Sequence, residues 1–169
     1  VSLRPAAALN TTYTGYAPRA AYCTAGETFS KCRLTSFFDQ SGNTVYCYDR
    51  FGQLVRKVQR TNNLVFRLRY IYETSGLLQK IIYPNDAEAD YLYDTQGRIR
   101  EIGVKPVGGA RQVLLTGATY YPFGPAQQWT YGNGRMMQRS LNQNYQPGFV
   151  QVAASGGIDI GYEFDEVGN

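Results

Sequence analysis

The motif Tyr-Asp-x-x-Gly recurs along this chain, and its recurrence restricts the fold more than any single residue does. It occurs as Tyr48, Asp49, Gly52 and as Tyr93, Asp94, Gly97, and with Phe for Tyr as Phe38, Asp39, Gly42 and Phe164, Asp165, Gly168. A looser copy, Tyr72, Glu73, Gly76, lies between them. A further aromatic stands two residues ahead in three copies, as Tyr46, Tyr70 and Tyr91. Repetition of this kind marks a stacked or meandering architecture. It points to a structural array and away from a catalyst.

Each copy reads as the end of one strand and the turn into the next. Residues two apart share a face of a strand, so Tyr70 and Tyr72, or Tyr91 and Tyr93, stand side by side. Asp at the first turn position can accept hydrogen bonds from backbone N–H groups two residues on. Gly at the fourth position suits a type I turn, or the left-handed residue that follows one in a bulged hairpin. Glu73 is one methylene too long for the same local bond. Further turn signals fill the gaps: Asn62-Asn63, Pro84-Asn85-Asp86, Gly108-Gly109, Pro122-Phe123-Gly124-Pro125, Gly132-Asn133-Gly134, Pro147-Gly148 and Gly156-Gly157. Together they put a reversal about every ten residues from Phe38 onward, the spacing of many short strands. No window carries a sustained helical period with caps at both ends. The expected fold is all-β, one long antiparallel meander over residues 37–169, with residues 1–36 as an irregular lead-in.

Composition narrows the function classes. Fifteen Tyr and eight Phe against two Met and one Trp favour flat, packed strand surfaces. A net charge of +4 is a modest surplus. Six basic residues fall between Arg50 and Arg69, but Arg67 and Arg69 alternate with Leu68 and Tyr70, which reads as one solvated strand face and not a nucleic-acid surface. The absence of His removes Ser-His-Asp and Cys-His catalysis, and with no Cys-x-x-Cys spacing it disfavours structural zinc. No cofactor is implied, and no apolar run is long enough to span a membrane as a helix. Of three cysteines, Cys23 and Cys32 are spaced to close a short loop in an oxidising compartment, leaving Cys47 as a buried thiol facing away from Tyr46 and Tyr48. The chain starts without Met and stops at Gly168-Asn169, within a repeat. A sheet ending there would expose an edge, so the expectation is a piece of a longer protein or an edge covered by a neighbour.

The stretch from Tyr46 through Tyr48-Asp49-Arg50-Phe51-Gly52-Gln53-Leu54 resembles the YD-repeat consensus Tyr-x-Tyr-Asp-x-x-Gly-Arg-Leu, that of the Rhs (rearrangement hot spot) proteins. So does the stretch from Tyr91 through Tyr93-Asp94-Thr95-Gln96-Gly97-Arg98-Ile99. The resemblance runs on through Tyr121 to Pro125, Tyr131 to Gly134, Asn142 to Tyr145 and Tyr162 to Asn169, covering the chain from about Phe37. It implies a β-sheet ribbon that spirals into a hollow shell. Bacterial members commonly enclose a C-terminal toxin, and animal teneurins use a similar shell in adhesion. The implied partners are the remainder of the shell or a neighbouring chain and an enclosed toxin or cargo polypeptide; the implied location is secreted or cell-surface, in a bacterium. In the bacterial shells a core domain with Asp-Pro motifs cuts the toxin free. This sequence has no Asp-Pro dipeptide, so that chemistry is not assigned to it.

Two other readings compete with a structural shell. Trp129 and Tyr131, in a run with Gln127 and Gln128, have the makeup of a stacking surface for carbohydrate, although cross-strand packing also uses such residues. Asp86, Glu88 and Asp90 alternate, and on a strand they would share one face roughly 6–7 Å apart. That separation falls within the range of inverting glycosidases, and such oxygens also suit Ca²⁺. A solvated hairpin arm accounts for the same trio, since exposed like charges are screened in water. The corner residues themselves carry the preferred reading. If Gly52 holds a positive φ, Gly52→Val destabilises the protein by about 1–3 kcal/mol, because a β-branched residue is strained there. An unchanged urea midpoint would remove Gly52 from the set.

Overall fold

The computed structural model describes residues 12–15, 21–153 and 156–165. Among them there is no helix; every regular element is a strand. The chain divides into two units, Val1–Ala87 and Glu88–Asn169. In the first unit β1 (Thr12–Gly15), β2 (Leu34–Asp39), β3 (Gly42–Tyr48), β4 (Leu54–Thr61), β5 (Leu64–Tyr72) and β6 (Leu78–Ile82) pair antiparallel in chain order. In the second, β7 (Glu88–Tyr93), β8 (Ile99–Lys105), β9 (Gln112–Tyr120), β10 (Ala126–Tyr131), β11 (Met136–Leu141), β12 (Pro147–Ala153) and β13 (Asp159–Gly161) do the same. The fold is an all-β antiparallel meander. Within the segment read as an irregular lead-in, Thr12–Gly15 forms β1 and pairs with β2, so ordered pairing starts before residue 37.

Pairing register sorts the first unit's side chains onto two faces, because directly opposed residues share a face. Ser36, Val45, Val58 and Arg67 align across β2 to β5 on one face. Thr44, Gln59 and Phe66 align on the other, where Phe37 stacks on Tyr46 with ring centres 6.3 Å apart. A single sheet has no second layer, so few side chains are fully enclosed. The buried apolar side chains of this unit cluster on the first face, with Val45, Cys47 and Val58 each 2% exposed or less, while Thr35 and Thr44 are buried on the other.

They are enclosed because residues 21–33 fold over them. Cys23 joins the Val45, Cys47, Val58 cluster with Tyr22 packed against it. The N–H of Tyr48 donates to Glu27 O, and the N–H of Phe29 to Tyr48 O, so this segment runs as a short parallel neighbour of β3. Glu27 binds Arg56 at 2.7 Å. The expected Cys23–Cys32 bridge is corrected here: Cys23 is bonded to Cys47, and Cys32 is the free, exposed thiol. Cys47 alternates with Tyr46 and therefore points to the face that the loop covers. Its Cα lies 5.5 Å from that of Cys23, within the reach of a disulfide. Cys32 instead occupies a left-handed turn position, φ 59°, with its side chain in solvent.

The bridge closes a loop of 24-residue separation and holds the cover on the buried valines. Reduction, or Cys23→Ser, should therefore cost about 2–4 kcal/mol, the usual range for a native disulfide. Urea unfolding with and without reductant measures this. Alkylation of the native, unreduced protein should mark Cys32 alone; a label on Cys23 or Cys47 would contradict the pairing.

Candidate functional site

The repeated feature of this molecule is its corner, and the corners share one hydrogen-bond pattern. At Asp49, Glu73, Tyr83, Asp94, Tyr121, Tyr131 and Asn142 the residue's N–H donates to the carbonyl four residues on. In each case the N–H three residues on donates back to its carbonyl, at 2.8 to 3.3 Å. This is a turn closed by a bulge, and at each of these corners except that of Tyr121 the fourth residue takes a left-handed conformation. Gly52, Gly76, Gly97 and Gly134 hold that place with φ between +78° and +87°. Asp86 (φ 62°) and Tyr145 (φ 60°) hold it without being glycine. At Gly52 an added Cβ would also meet the Arg33 guanidinium.

The first side chain stitches the corner from inside. Asp49 Oδ1 accepts from the N–H groups of Phe51 and Gln53, both at 2.9 Å. Asp94 Oδ1 accepts from those of Gln96 and Arg98, also at 2.9 Å. Asn142 Oδ1 does the same with Asn144 and Gln146. Among the described residues the Glu73 carboxylate accepts from the Ser75 hydroxyl and from no turn N–H, consistent with its extra methylene. The backbone donors to Asp94, together with the Arg98 side chain, hold its carboxyl below the usual range. The copy at Asp39 differs. Asp39 pairs directly with Gly42 across a two-residue loop, and its carboxylate accepts from Ser41. Gly42 is crowded by Arg60 O, which leaves no room for a side chain. Phe164 and Asp165 are exposed, and Gly168 lies outside the described residues.

The tyrosine just ahead of a corner, in the motif copies at Tyr48 and Tyr72 and again at Tyr120, does more than pack. The Tyr48 hydroxyl at the end of β3 donates to Leu34 O at the start of β2, 2.8 Å away. Tyr72, ending β5, donates to Leu54 O at the start of β4, at 2.9 Å. Tyr120, ending β9, donates to Ile99 O at the start of β8, at 2.6 Å. Each of these hydroxyls latches a strand end to the beginning of the strand before it. Leu54 stands six residues after Tyr48, so one motif copy provides both a latch donor and the acceptor for the next latch. The acceptor is a backbone carbonyl, which any residue provides, and so has no sequence signal beyond that spacing.

The other candidate residues are placed as follows. Asp86 fills a turn position ahead of β7, so the strand alternation needed to align it with Glu88 and Asp90 does not reach it. Asp90 accepts two bonds from Arg111 Nε at 3.0 Å and one from Nη2 at 2.6 Å. The same guanidinium reaches Glu101 at 2.9 Å, and Thr116 donates to Glu101. These carboxylates raise the Arg111 pKa. Gly103, opposite Asp90, makes the arrangement possible, since a Cβ there would collide with the guanidinium. The geometry is a structural ion cluster, and among the described residues no group of three or more His, Cys, Asp or Glu could hold a metal. Trp129 is half-buried on β10, with Tyr131 at its edge and the Arg139 guanidinium over its ring at 5.7 Å.

No family model matches the sequence, and no curated protein matches it. Solved structures do. The fold is similar to part of a chain in the crystal structure of TcdB2-TccC3-Cdc42, with a TM-score of 0.74 and 15% identity. The crystal structure of TcdB2-TccC3 gives the same values. A Photorhabdus luminescens Tc holotoxin pore carrying a TccC3 mutation gives a TM-score of 0.72 at 16% identity. Each match covers 81% of this chain but 8% of the other, so this chain spans about a twelfth of the length of those it resembles.

The latches give a pH dependence with a definite sign. Burial, the largest cause, pushes the phenols of Tyr48, Tyr72 and Tyr120 above their ordinary value of about 10. A folded pKa above the unfolded one contributes stability that is present below pH about 10 and is lost as pH rises through the folded value. Urea midpoints should therefore fall in alkali. Tyr72→Phe should cost about 0.5–1.5 kcal/mol at neutral pH, the net worth of a hydrogen bond, and should flatten the alkaline decline. A neutral-pH midpoint equal to that of the parent would show that the latch contributes nothing.

Proposed function

We propose that this chain is a stretch of wall in a YD-repeat β-shell that encloses, or helps deliver, a toxin or other cargo polypeptide. Its work is structural, without catalysis and without a cofactor. The observation that carries the reading is the corner that propagates itself. Each copy closes one hairpin, and at Tyr48–Leu34 and Tyr72–Leu54 it latches to the strand before. Such a unit extends a sheet by repetition without needing a second layer. The likeness in fold to a small share of the long chains of Tc toxin structures supports the same reading. Its partners are then the rest of the shell and the enclosed polypeptide. The Cys23–Cys47 bridge supports a secreted or cell-surface location, since disulfides persist in oxidising compartments.

Limited proteolysis of the natural polypeptide, read by intact mass, tests the proposal. A shell gives a mass far above 19.0 kDa and a companion or internal segment that resists protease until the β-structure is unfolded. A natural polypeptide near 19.0 kDa with no protected companion would overturn it.

A further inference from the structure

One patch of the first unit is explained neither by the corners nor by a shell wall. On the face that carries Val45 and Val58, Arg56 of β4 lies directly opposite Arg69 of β5, and Arg67 lies opposite Val58. Like charges placed opposite each other across strands are destabilising. Glu27 neutralises Arg56. Arg67 and Arg69 are exposed and have no ion pair among the described residues. With Val65, Tyr83 and Asp86 these arginines line a groove of about 340 Å³. Its lining holds three guanidiniums against one carboxylate.

We infer that this groove is a docking surface for an extended acidic polypeptide segment. Arg67 and Arg69 are two residues apart on one strand face, so their side chains are spaced by roughly 6–7 Å. An extended peptide carrying Glu or Asp at alternate positions presents carboxylates at that same interval. Arg–carboxylate pairs are strong when planar and bidentate, and these two guanidiniums are free to form them. Asp86 in the lining and Glu27 on Arg56 leave only Arg67 and Arg69 to receive anions, which favours discrete side-chain carboxylates over a continuous phosphate backbone. Val65 and the Tyr83 ring provide apolar contact for the intervening residues. The inference is independent of whether the chain is a shell wall.

The test is a fluorescence-anisotropy titration of the whole chain with a short labelled peptide alternating Glu and Thr. Peptides alternating Gln and Thr, and a single-stranded oligothymidylate, serve as comparisons. Saturable binding of the Glu peptide is expected, weakening as salt rises, with no binding of the Gln peptide. Arg67→Gln together with Arg69→Gln should weaken it about tenfold, whereas Arg100→Gln, on β8, should leave it unchanged. Thermal melting of the double variant separates binding from folding, because Arg67 and Arg69 are exposed and have no ion pair among the described residues, so their replacement should not lower the melting temperature. Three results would overturn the inference: no saturable binding of the Glu peptide, equal binding by the double variant, or tighter binding of the oligothymidylate.

Discussion

A sheet without a second layer must hold its strands together through its own edges and corners, and the rest of this structure depends on that constraint. Burial in a two-layer domain supplies most of the stability. Here few side chains are fully enclosed, while Phe51, Leu64 and Phe66 are exposed. The compensating interaction is the corner: a carboxylate or amide that stitches its own turn, a left-handed fourth residue, and a phenol that ties the strand end to its neighbour. Each bond is modest alone, roughly 1 kcal/mol net. Repeated at successive strand ends, they set register where packing alone would leave it free to slip.

The one place where the first unit has a true core follows from a different device. Residues 21–33 have no strand pattern and no helix, yet they form the cover that encloses Val45, Cys47 and Val58. A covalent bridge, a parallel backbone pairing and the Glu27–Arg56 ion pair hold that cover down. On the opposite face Thr35 and Thr44 are buried, while Leu64 and Phe66 are exposed. The two faces therefore differ in chemistry, one capped over its valines and basic beyond them, the other carrying the Phe37–Tyr46 stack beside Thr44, Gln59 and Phe66. In the second unit the corresponding local device is ionic: Arg111 spans Asp90 and Glu101 across the gap left by Gly103.

Some of this could be read from residues alone. Asp followed three places later by Gly reports a local backbone requirement, and a requirement that is local can be seen locally. The weak turn at Glu73 follows from side-chain length by the same logic. The degenerate corners show where such reading stops. Tyr83 to Asp86 and Asn142 to Tyr145 adopt the same hydrogen bonding without glycine at the left-handed position. Nothing in Tyr145 announces a φ of 60°; the pairing of the flanking strands imposes it. The carboxylate trio shows the opposite error, since a two-residue alternation in Asp86, Glu88 and Asp90 crosses a turn where the alternation of faces is broken.

The sequence by itself determined the all-β class, the places where the chain reverses and the residues that close most of its corners. These follow from side-chain length, backbone freedom and two-residue periodicity, all of which act over a few residues. Only the tertiary structure decided that Cys23 pairs with Cys47, that Tyr48, Tyr72 and Tyr120 latch to carbonyls of Leu34, Leu54 and Ile99, and that Arg56 stands opposite Arg69. Each of those contacts joins residues 13 or more positions apart. Strand register sets which groups meet at such separations, and register is a property of the assembled sheet.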